Sequence, residues 1–203
     1  MSNHITFKNA KVHFTDYGNG DVVLLLHGFL ENISMWNHLS LHLIKTHRVI
    51  CVDLLGHGKS DSIGYIHTME MMAEAVYSVL KHLKISNTVV IGHSMGGGCA
   101  VYAALEQLDV KKVVSIAGPS NFENAVSSFA NFIGLRGKAL TLFMADVEAV
   151  VQLPFPKINL AARVKSLSQS LLVIHDEQDL VIPFTEGSRY IPQICNGEFF
   201  ATQ

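Results

Sequence analysis

Apolar and polar positions along the chain alternate between short buried runs and longer amphipathic stretches. Two segments with a period of two, residues 4–8 and 11–16, end at Gly18-Asn19-Gly20 and predict an opening antiparallel pair of strands. After them come apolar runs with β-branched residues, each bounded by Gly, Asp or His, which is typical of strands buried on both faces. These runs are residues 22–26, 49–52, 88–91, 113–116 and 171–174, and a last strand is predicted over 198–202.

The stretches between these runs have the apolar spacing of helices. Predicted helices cover residues 35–46, 68–83, 95–108 and 185–190. Strands that alternate with helices of this length favour right-handed βαβ units. The pattern therefore predicts an α/β protein with a doubly wound, mostly parallel sheet and helices on both faces.

One apolar stretch interrupts this alternation. About fifty residues separate the strand that ends near Ala117 from the next one, too many for an ordinary crossover. Helical patterns cover residues 122–133, 140–153 and 160–167, with Gly134, Gly137, Pro154 and Pro156 between them. We expect a short helical lid over residues 118–168, inserted between two parts of one core, residues 1–117 and 169–203. Extra packing on a sheet face is the alternative.

Composition narrows the function classes. The 203 residues, 49% of them hydrophobic, suffice for one domain that folds without a disulfide or a metal. With 15 Lys and Arg against 17 Asp and Glu, no basic surplus favours nucleic acid or an acidic membrane surface as partner. No signal peptide or membrane span is apparent, so a cytoplasmic protein is expected. Cys51, Cys99 and Cys195 lie in apolar stretches without CxxC spacing and are predicted to be reduced core residues.

The sharpest chemical motif is Gly92-His93-Ser94-Met95-Gly96-Gly97, between a predicted strand and a predicted helix. This is GxSxG in the strand–turn–helix context that it requires. A nucleophile on such a turn has strained backbone angles, and small residues two positions before and after it let strand and helix approach. The turn also places Ser94 at a helix N-terminus, where developing negative charge is stabilised. Ser94 is the predicted nucleophile.

A second motif, His27-Gly28-Phe29, directly follows the first buried strand. In a doubly wound sheet this loop leaves the same carboxyl edge as the Ser94 turn. The backbone N–H groups of Phe29 and Met95 are therefore predicted to converge on one oxygen as an oxyanion hole.

Two rival motifs are rejected on chemical grounds. Gly58-Lys59-Ser60 resembles the end of a phosphate-binding loop, but Asp53 stands where the first glycine is required and would repel phosphates. His38 and His42 have the i, i+4 spacing of zinc ligands, yet no HExxH glutamate or third ligand accompanies them. No cofactor and no metal are expected.

With these motifs in place, the chain resembles the α/β-hydrolase superfamily over nearly its whole length. The similar segments are HGF at 27–29, DLLGHGKSD at 53–61, GHSMGG at 92–97 and VIHDEQD at 173–179, leading to Pro183. The resemblance implies an α/β-hydrolase fold with a lid, and a catalytic triad in the chain order Ser, Asp, His. Esterases, lipases, carbon–carbon bond hydrolases and haloperoxidase-like members share GHSMGG. Dehalogenases and epoxide hydrolases use an aspartate at this position, so Ser94 disfavours both.

The resemblance also implies the acid of the triad, which is placed four residues before the proline and is therefore Asp179. Asp176 is the runner-up.

The base is where the family pattern fails. The last histidine is His175, and the 24 residues after Asp179 contain none. His93 is expected to point away from the site, His27 and His57 lie at the same edge, and His175 is too close to its own strand end. We expect the base histidine to lie beyond Gln203 or in another chain, and the sheet face left uncovered there to promote self-association.

Two functions follow. The first is a serine hydrolase that cleaves a small ester, thioester or related acyl substrate through an acyl-enzyme on Ser94. The alternative is a catalytically impaired, hydrolase-like module that binds an apolar ligand under the lid. Apolar lid residues suit either an acyl pocket or the lid's own core; these are Phe129, Phe132, Leu142 and Phe143.

Overall fold

The computed structural model describes residues 2–64, 67–106, 108, 110–151 and 159–203. The strands in this part of the chain are β1 (Ser2–Phe7), β2 (Ala10–Tyr17), β3 (Asp21–Leu26), β4 (His47–Val52), β5 (Thr88–His93), β6 (Val110–Ile116), β7 (Ser170–Asp176) and β8 (Gly197–Thr202). The α-helices are α1 (Asn37–Leu43), α2 (Met69–His82), α3 (Met95–Leu105), α4 (Phe122–Phe132), α5 (Gly137–Val151), α6 (Leu160–Arg163) and α7 (Phe184–Ser188).

All these strands form one sheet in the order β1-β2-β4-β3-β5-β6-β7-β8. β1 and β2 are antiparallel to their neighbours, and the six strands β3 to β8 run parallel to one another. α2 and α3 cover one face, while α1 and the turn before it cover the other with a smaller cluster around Trp36. The predicted mostly parallel α/β sheet with helices on both faces is confirmed.

Helix ends follow local capping. α2 begins where predicted because the Thr68 side chain accepts the Met71 N–H at 3.2 Å. The helix predicted over 35–46 is wrong in form: a 3₁₀ turn (Ile33–Trp36) comes first, and the short α1 follows. Asn32 accepts the Ser34 N–H at 2.9 Å and so starts the turn earlier than the apolar pattern indicates.

Several other helices differ from prediction at their ends, among them α7, which covers Phe184–Ser188 rather than 185–190. α3 stops at Leu105, short of 108, and α5 starts at Gly137 rather than 140. α6 has only four residues and continues as a 3₁₀ turn (Val164–Ser166). Gln107 and the predicted helix end at 153, with Pro154 and Pro156, lie outside the described residues.

The cysteines divide into two kinds. Cys51 and Cys99 are buried free thiols, as predicted, and burial raises the pKa of Cys99 to about 12. Cys195 is exposed, so its prediction as a core residue is wrong. It lies between a 3₁₀ turn and the edge strand β8, where its apolar neighbours do not enclose it.

Two surface properties bear on partners. Within the described ranges, no helix has the length and apolar character needed to cross a membrane. β8 forms one edge of the sheet, and Phe200 on it is 60% exposed. Self-association through this end of the sheet stays a prediction.

Candidate active site

The candidate chemistry lies at one edge of the sheet. β3, β5, β6 and β7 run parallel, so the loops after them all leave from their carboxyl ends, where ligands bind in open α/β sheets. These loops carry Phe29, Ser94, Ala117 and Asp179, in that order of strands.

Ser94 occupies a strained turn between β5 and α3. Its backbone has φ 50° and ψ −119°, and its N–H donates to the Ile116 carbonyl at 2.8 Å. A Cβ on Gly92 would overlap the Gly96 carbonyl oxygen, and one on Gly96 would overlap the carbonyl oxygens at the end of β3. Glycine at both positions is what permits this close approach of strand and helix.

The loop after β3 is held by the ring of His27, which is fully buried. Its Nε2 accepts the Leu54 N–H at 2.9 Å, so the ring proton is on Nδ1, which donates to the Gly28 carbonyl at 2.8 Å. Burial lowers the pKa of His27, which agrees with a neutral ring. In a trans peptide the C=O and N–H point in opposite directions, so this bond turns the Phe29 N–H away from His27.

The buried Asp53 carboxylate also holds this loop in place through hydrogen bonds. Asp53, 1% exposed, accepts from His13 Nδ1, the Ile33 N–H and the Lys59 N–H at 2.8 to 2.9 Å. It thereby joins the loop after β3 to the loop after β4. These bonds give Asp53 a structural role and agree with the rejection of a phosphate-binding loop.

Three of the predicted site residues line one pocket of about 230 Å³: Ser94, Phe29 and Asp179. Its other lining residues are Glu31, His93, Ala117, Val181 and Ile182. Met95, the fourth predicted residue, is buried as the first residue of α3. The first bond of that helix runs from the Gly98 N–H to the Ser94 carbonyl, so the Met95 N–H has no partner within the helix.

The two candidate acids differ in their surroundings. Asp179 Oδ1 accepts the Val181 and Ile182 N–H groups at 2.8 Å, which fixes the carboxylate in the loop while it lines the pocket. Asp176 instead accepts from the Gln178 N–H at 2.7 Å and from the Thr202 hydroxyl at 3.0 Å, tying β7 to β8. The geometry favours Asp179 as the candidate acid.

His93 does not point away from the site, contrary to expectation. It lines the pocket beside Ser94, and its Nδ1 lies 3.1 Å from Glu31 Oε2. Glu31 itself was missed at the sequence level. Its two polar contacts are the Gly28 N–H, three positions away, and His93, 62 positions away, and no motif signals the second.

The other histidines near this edge contact backbone carbonyls, and His175 also lies near the candidate acid, with its Nε2 3.7 Å from Asp179 Oδ2. His175 is buried, and its Nε2 lies 2.8 Å from the Ile182 carbonyl. His57 Nδ1 lies 2.9 Å from the Leu55 carbonyl, and its ring packs against Phe29. In the described parts of the chain, no histidine is recorded in a hydrogen bond with the Ser94 hydroxyl.

The helical segment between β6 and β7 contacts one residue of the pocket wall, Phe29. The Phe129 ring on α4 packs edge-on against Phe29, with ring centroids 5.3 Å apart. Each of its two longer helices has one buried residue, Ala130 in α4 and Val151 in α5. Phe132 is 67% exposed.

This helical segment is anchored at its base, which we call the neck: residues 119–121 and 159–161. Asn121 and Asn159 form an isolated antiparallel bridge, and the Ser120 carbonyl accepts the Leu160 N–H at 2.8 Å. From α7, the buried Glu186 carboxylate accepts from the Ser120 N–H and hydroxyl, at 3.1 and 2.8 Å. Its further partners are the Asn121 N–H, Asn124 Nδ2 and Arg189.

Comparison with known proteins identifies the family. A family model described as the alpha/beta hydrolase fold matches residues 21–154, so the chain belongs to the α/β-hydrolase fold family. Epoxide hydrolase 3 of Xenopus tropicalis is 28% identical over 200 residues, which are 94% of this chain and 49% of that protein. A non-heme haloperoxidase of Rhodococcus erythropolis is 34% identical over 90 residues, 44% of this chain and 33% of that protein. The chain spans less than half the length of these curated relatives.

Solved structures agree on the fold. An esterase from Exiguobacterium antarcticum has a TM-score of 0.79 at 20% identity, covering 100% of this chain and 91% of that one. A hydrolase from Pseudomonas aeruginosa has a TM-score of 0.77 at 15% identity, covering 99% and 89%. The predicted α/β-hydrolase fold is therefore confirmed.

Proposed function

We propose that this chain is a serine hydrolase that cleaves a small ester, thioester or related acyl substrate. The observation that carries the proposal is the meeting of Ser94, Phe29 and Asp179 at one pocket of about 230 Å³. Ser94 has the strained, positive-φ backbone that presents a nucleophile above a sheet edge. Membership of the α/β-hydrolase fold family and similarity to an epoxide hydrolase support the general class.

The reaction would begin with attack of the Ser94 hydroxyl oxygen on the substrate carbonyl carbon. The negative charge that develops on the carbonyl oxygen would be held by the Phe29 and Met95 N–H groups, near the N-terminus of α3. Collapse of this intermediate breaks the bond to the leaving alcohol or thiol, and water then hydrolyses the acyl-enzyme. No cofactor takes part in this scheme.

Proton transfer requires a general base, which we propose is a histidine oriented by Asp179. The histidine would take the Ser94 proton and return it to the leaving group. The helical segment of residues 118–168 is proposed as the lid, because Phe129 contacts the pocket residue Phe29.

A second candidate function is a non-catalytic module that binds an apolar ligand in the same pocket. One observation favours it: among the described residues, the histidines near this edge bond to Glu31 or to backbone groups and none bonds to the Ser94 hydroxyl. An unassisted serine hydroxyl is a weak nucleophile at neutral pH.

Labelling with a neutral fluorophosphonate, read by mass spectrometry, separates the two functions. The hydrolase predicts one label per chain, located at Ser94 and lost in Ser94→Ala. Asp179→Asn keeps the Oδ1 acceptor of its loop but should slow labelling on the order of 100-fold. Asp176→Asn, the matched control, should label at the wild-type rate. An unlabelled Ser94 in the full chain would exclude the hydrolase and leave the binding module.

A further inference from the structure

The Glu31 carboxylate lies beside the candidate nucleophile Ser94. None of the proposed catalytic steps uses it. Glu31 lines the same pocket as Ser94, and its side chain is 37% exposed. Its Oε2 accepts the Gly28 N–H at 2.8 Å. Gly28 in turn lies against the nucleophile, since a Cβ built on it would be 3.2 Å from the Ser94 Cβ.

Among the described residues that line the pocket, neither Lys nor Arg faces this carboxylate. Its one basic contact is His93 Nδ1 at 3.1 Å, and a neutral imidazole with its proton on Nδ1 is enough for that bond. The remaining ionisable group in the lining is another carboxylate, Asp179.

Apart from the N-terminus of α3 at Ser94, the rest of the described wall is apolar. Ala117, Val181 and Ile182 line it, and the Phe29 and Met95 N–H groups are the ones proposed to bind the reacting oxygen. An anionic group on a ligand, in addition to the reacting carbonyl, would therefore face the Glu31 carboxylate across a partly desolvated space. At this degree of exposure, charge repulsion corresponds to about a five- to tenfold difference in affinity at low salt.

We propose that Glu31 sets the charge selectivity of the pocket: it admits neutral and cationic ligands and rejects those with an anionic group near the reacting carbonyl. The inference rests on the proposed function in one respect, namely that the Ser94 pocket is where the substrate binds. It narrows the substrate class to acyl compounds that carry no carboxylate or phosphate beside the scissile bond.

Three small ligands of nearly equal shape test this selectivity: choline, 3,3-dimethylbutan-1-ol and 3,3-dimethylbutanoate. Binding is followed at low salt through the amide chemical shifts of Phe29 and Ser94 in ¹⁵N-labelled protein. The wild type should bind the cation and the alcohol at least about fivefold more tightly than the anion. Glu31→Gln should reduce this preference about fivefold, because Gln keeps an acceptor for the Gly28 N–H and loses only the charge.

The matched control is Glu198→Gln, which makes the same change of net charge at an exposed position on β8. It should leave the preference as in the wild type. Thermal unfolding checks that both proteins are folded. The inference is overturned if wild type and Glu31→Gln show the same preference, or if none of the three ligands binds.

Fluorophosphonate labelling of the same samples keeps the two proposals apart. Labelled Ser94 with no charge preference would leave the hydrolase standing and remove the role of Glu31. A charge preference that depends on Glu31, with Ser94 unlabelled, would do the reverse.

Discussion

The turn around Ser94 and the helical segment between β6 and β7 border the same pocket but are held in opposite ways. At the turn, backbone groups are bonded in place: the Ser94 N–H to Ile116, and the Gly28 carbonyl to His27. In the helical segment, one residue is buried in each of α4 and α5, and anchoring is concentrated at the neck. The part proposed for chemistry is rigid, whereas the part proposed for recognition is held mainly at its base.

The largest expected loss of stability comes from adding a side chain at a glycine of the Ser94 turn, where strand and helix are in close contact. Gly96→Ala places a methyl group into the carbonyl oxygens at the end of β3 and should cost about 3 kcal/mol or more of unfolding free energy. Gly98→Ala in the same helix meets no heavy atom closer than 3.6 Å, so it should be neutral or stabilise by up to about 1 kcal/mol. Urea unfolding measures both, and equal effects of the two variants would refute the tight approach at Gly96.

The next effect tests whether the neck alone anchors the helical segment. Glu186→Ala leaves the buried donors of Ser120 and the half-buried donors of Asn121 and Asn124 without their acceptor, and should cost about 2–4 kcal/mol. Hydrogen exchange in α4 and α5 should quicken, with β3 to β6 unchanged. Glu106→Ala, which breaks only the exposed pair with Arg163, is the control and should cost less than about 1 kcal/mol. Unchanged exchange in a folded Glu186→Ala protein would mean that other contacts hold the segment.

The smallest effect concerns the pH dependence of the rigid part. Because burial lowers the pKa of His27 in the fold, the unfolded chain binds a proton there first as the pH falls below about 6.5. Stability conferred by the neutral ring is present above that pH and is lost as the pH falls toward the folded-state pKa. Between pH 7.5 and 5.5 the wild type should lose about 1 kcal/mol more than His27→Gln. Between pH 7.5 and 8.5 the two should change in parallel; parallel change at acidic pH as well would contradict a neutral buried His27.

The same contrast explains what could be predicted from the sequence. Strands and the Ser94 turn depend on local signals, namely apolar runs and glycines at fixed spacing, and these were found where expected. Glu31 and Glu186 depend on hydrogen bonds to residues 62 to 66 positions away, which no local pattern encodes. The start of the 3₁₀ turn at Ile33 and the exposure of Cys195 were missed for a related reason: a side-chain cap and an edge position outweigh apolar composition.

The bridge between Asn121 and Asn159 has a consequence for how this protein could diversify. The chain leaves the core and returns to it at adjacent points, so the segment between them is a loop closed at its base. The entropic cost of closing such a loop rises only slowly with its length. Helices could be added, shortened or exchanged there without shifting β6, β7 or the loops that carry Ser94 and Asp179. The neck therefore keeps the two ends of this segment together whatever the length of chain between them.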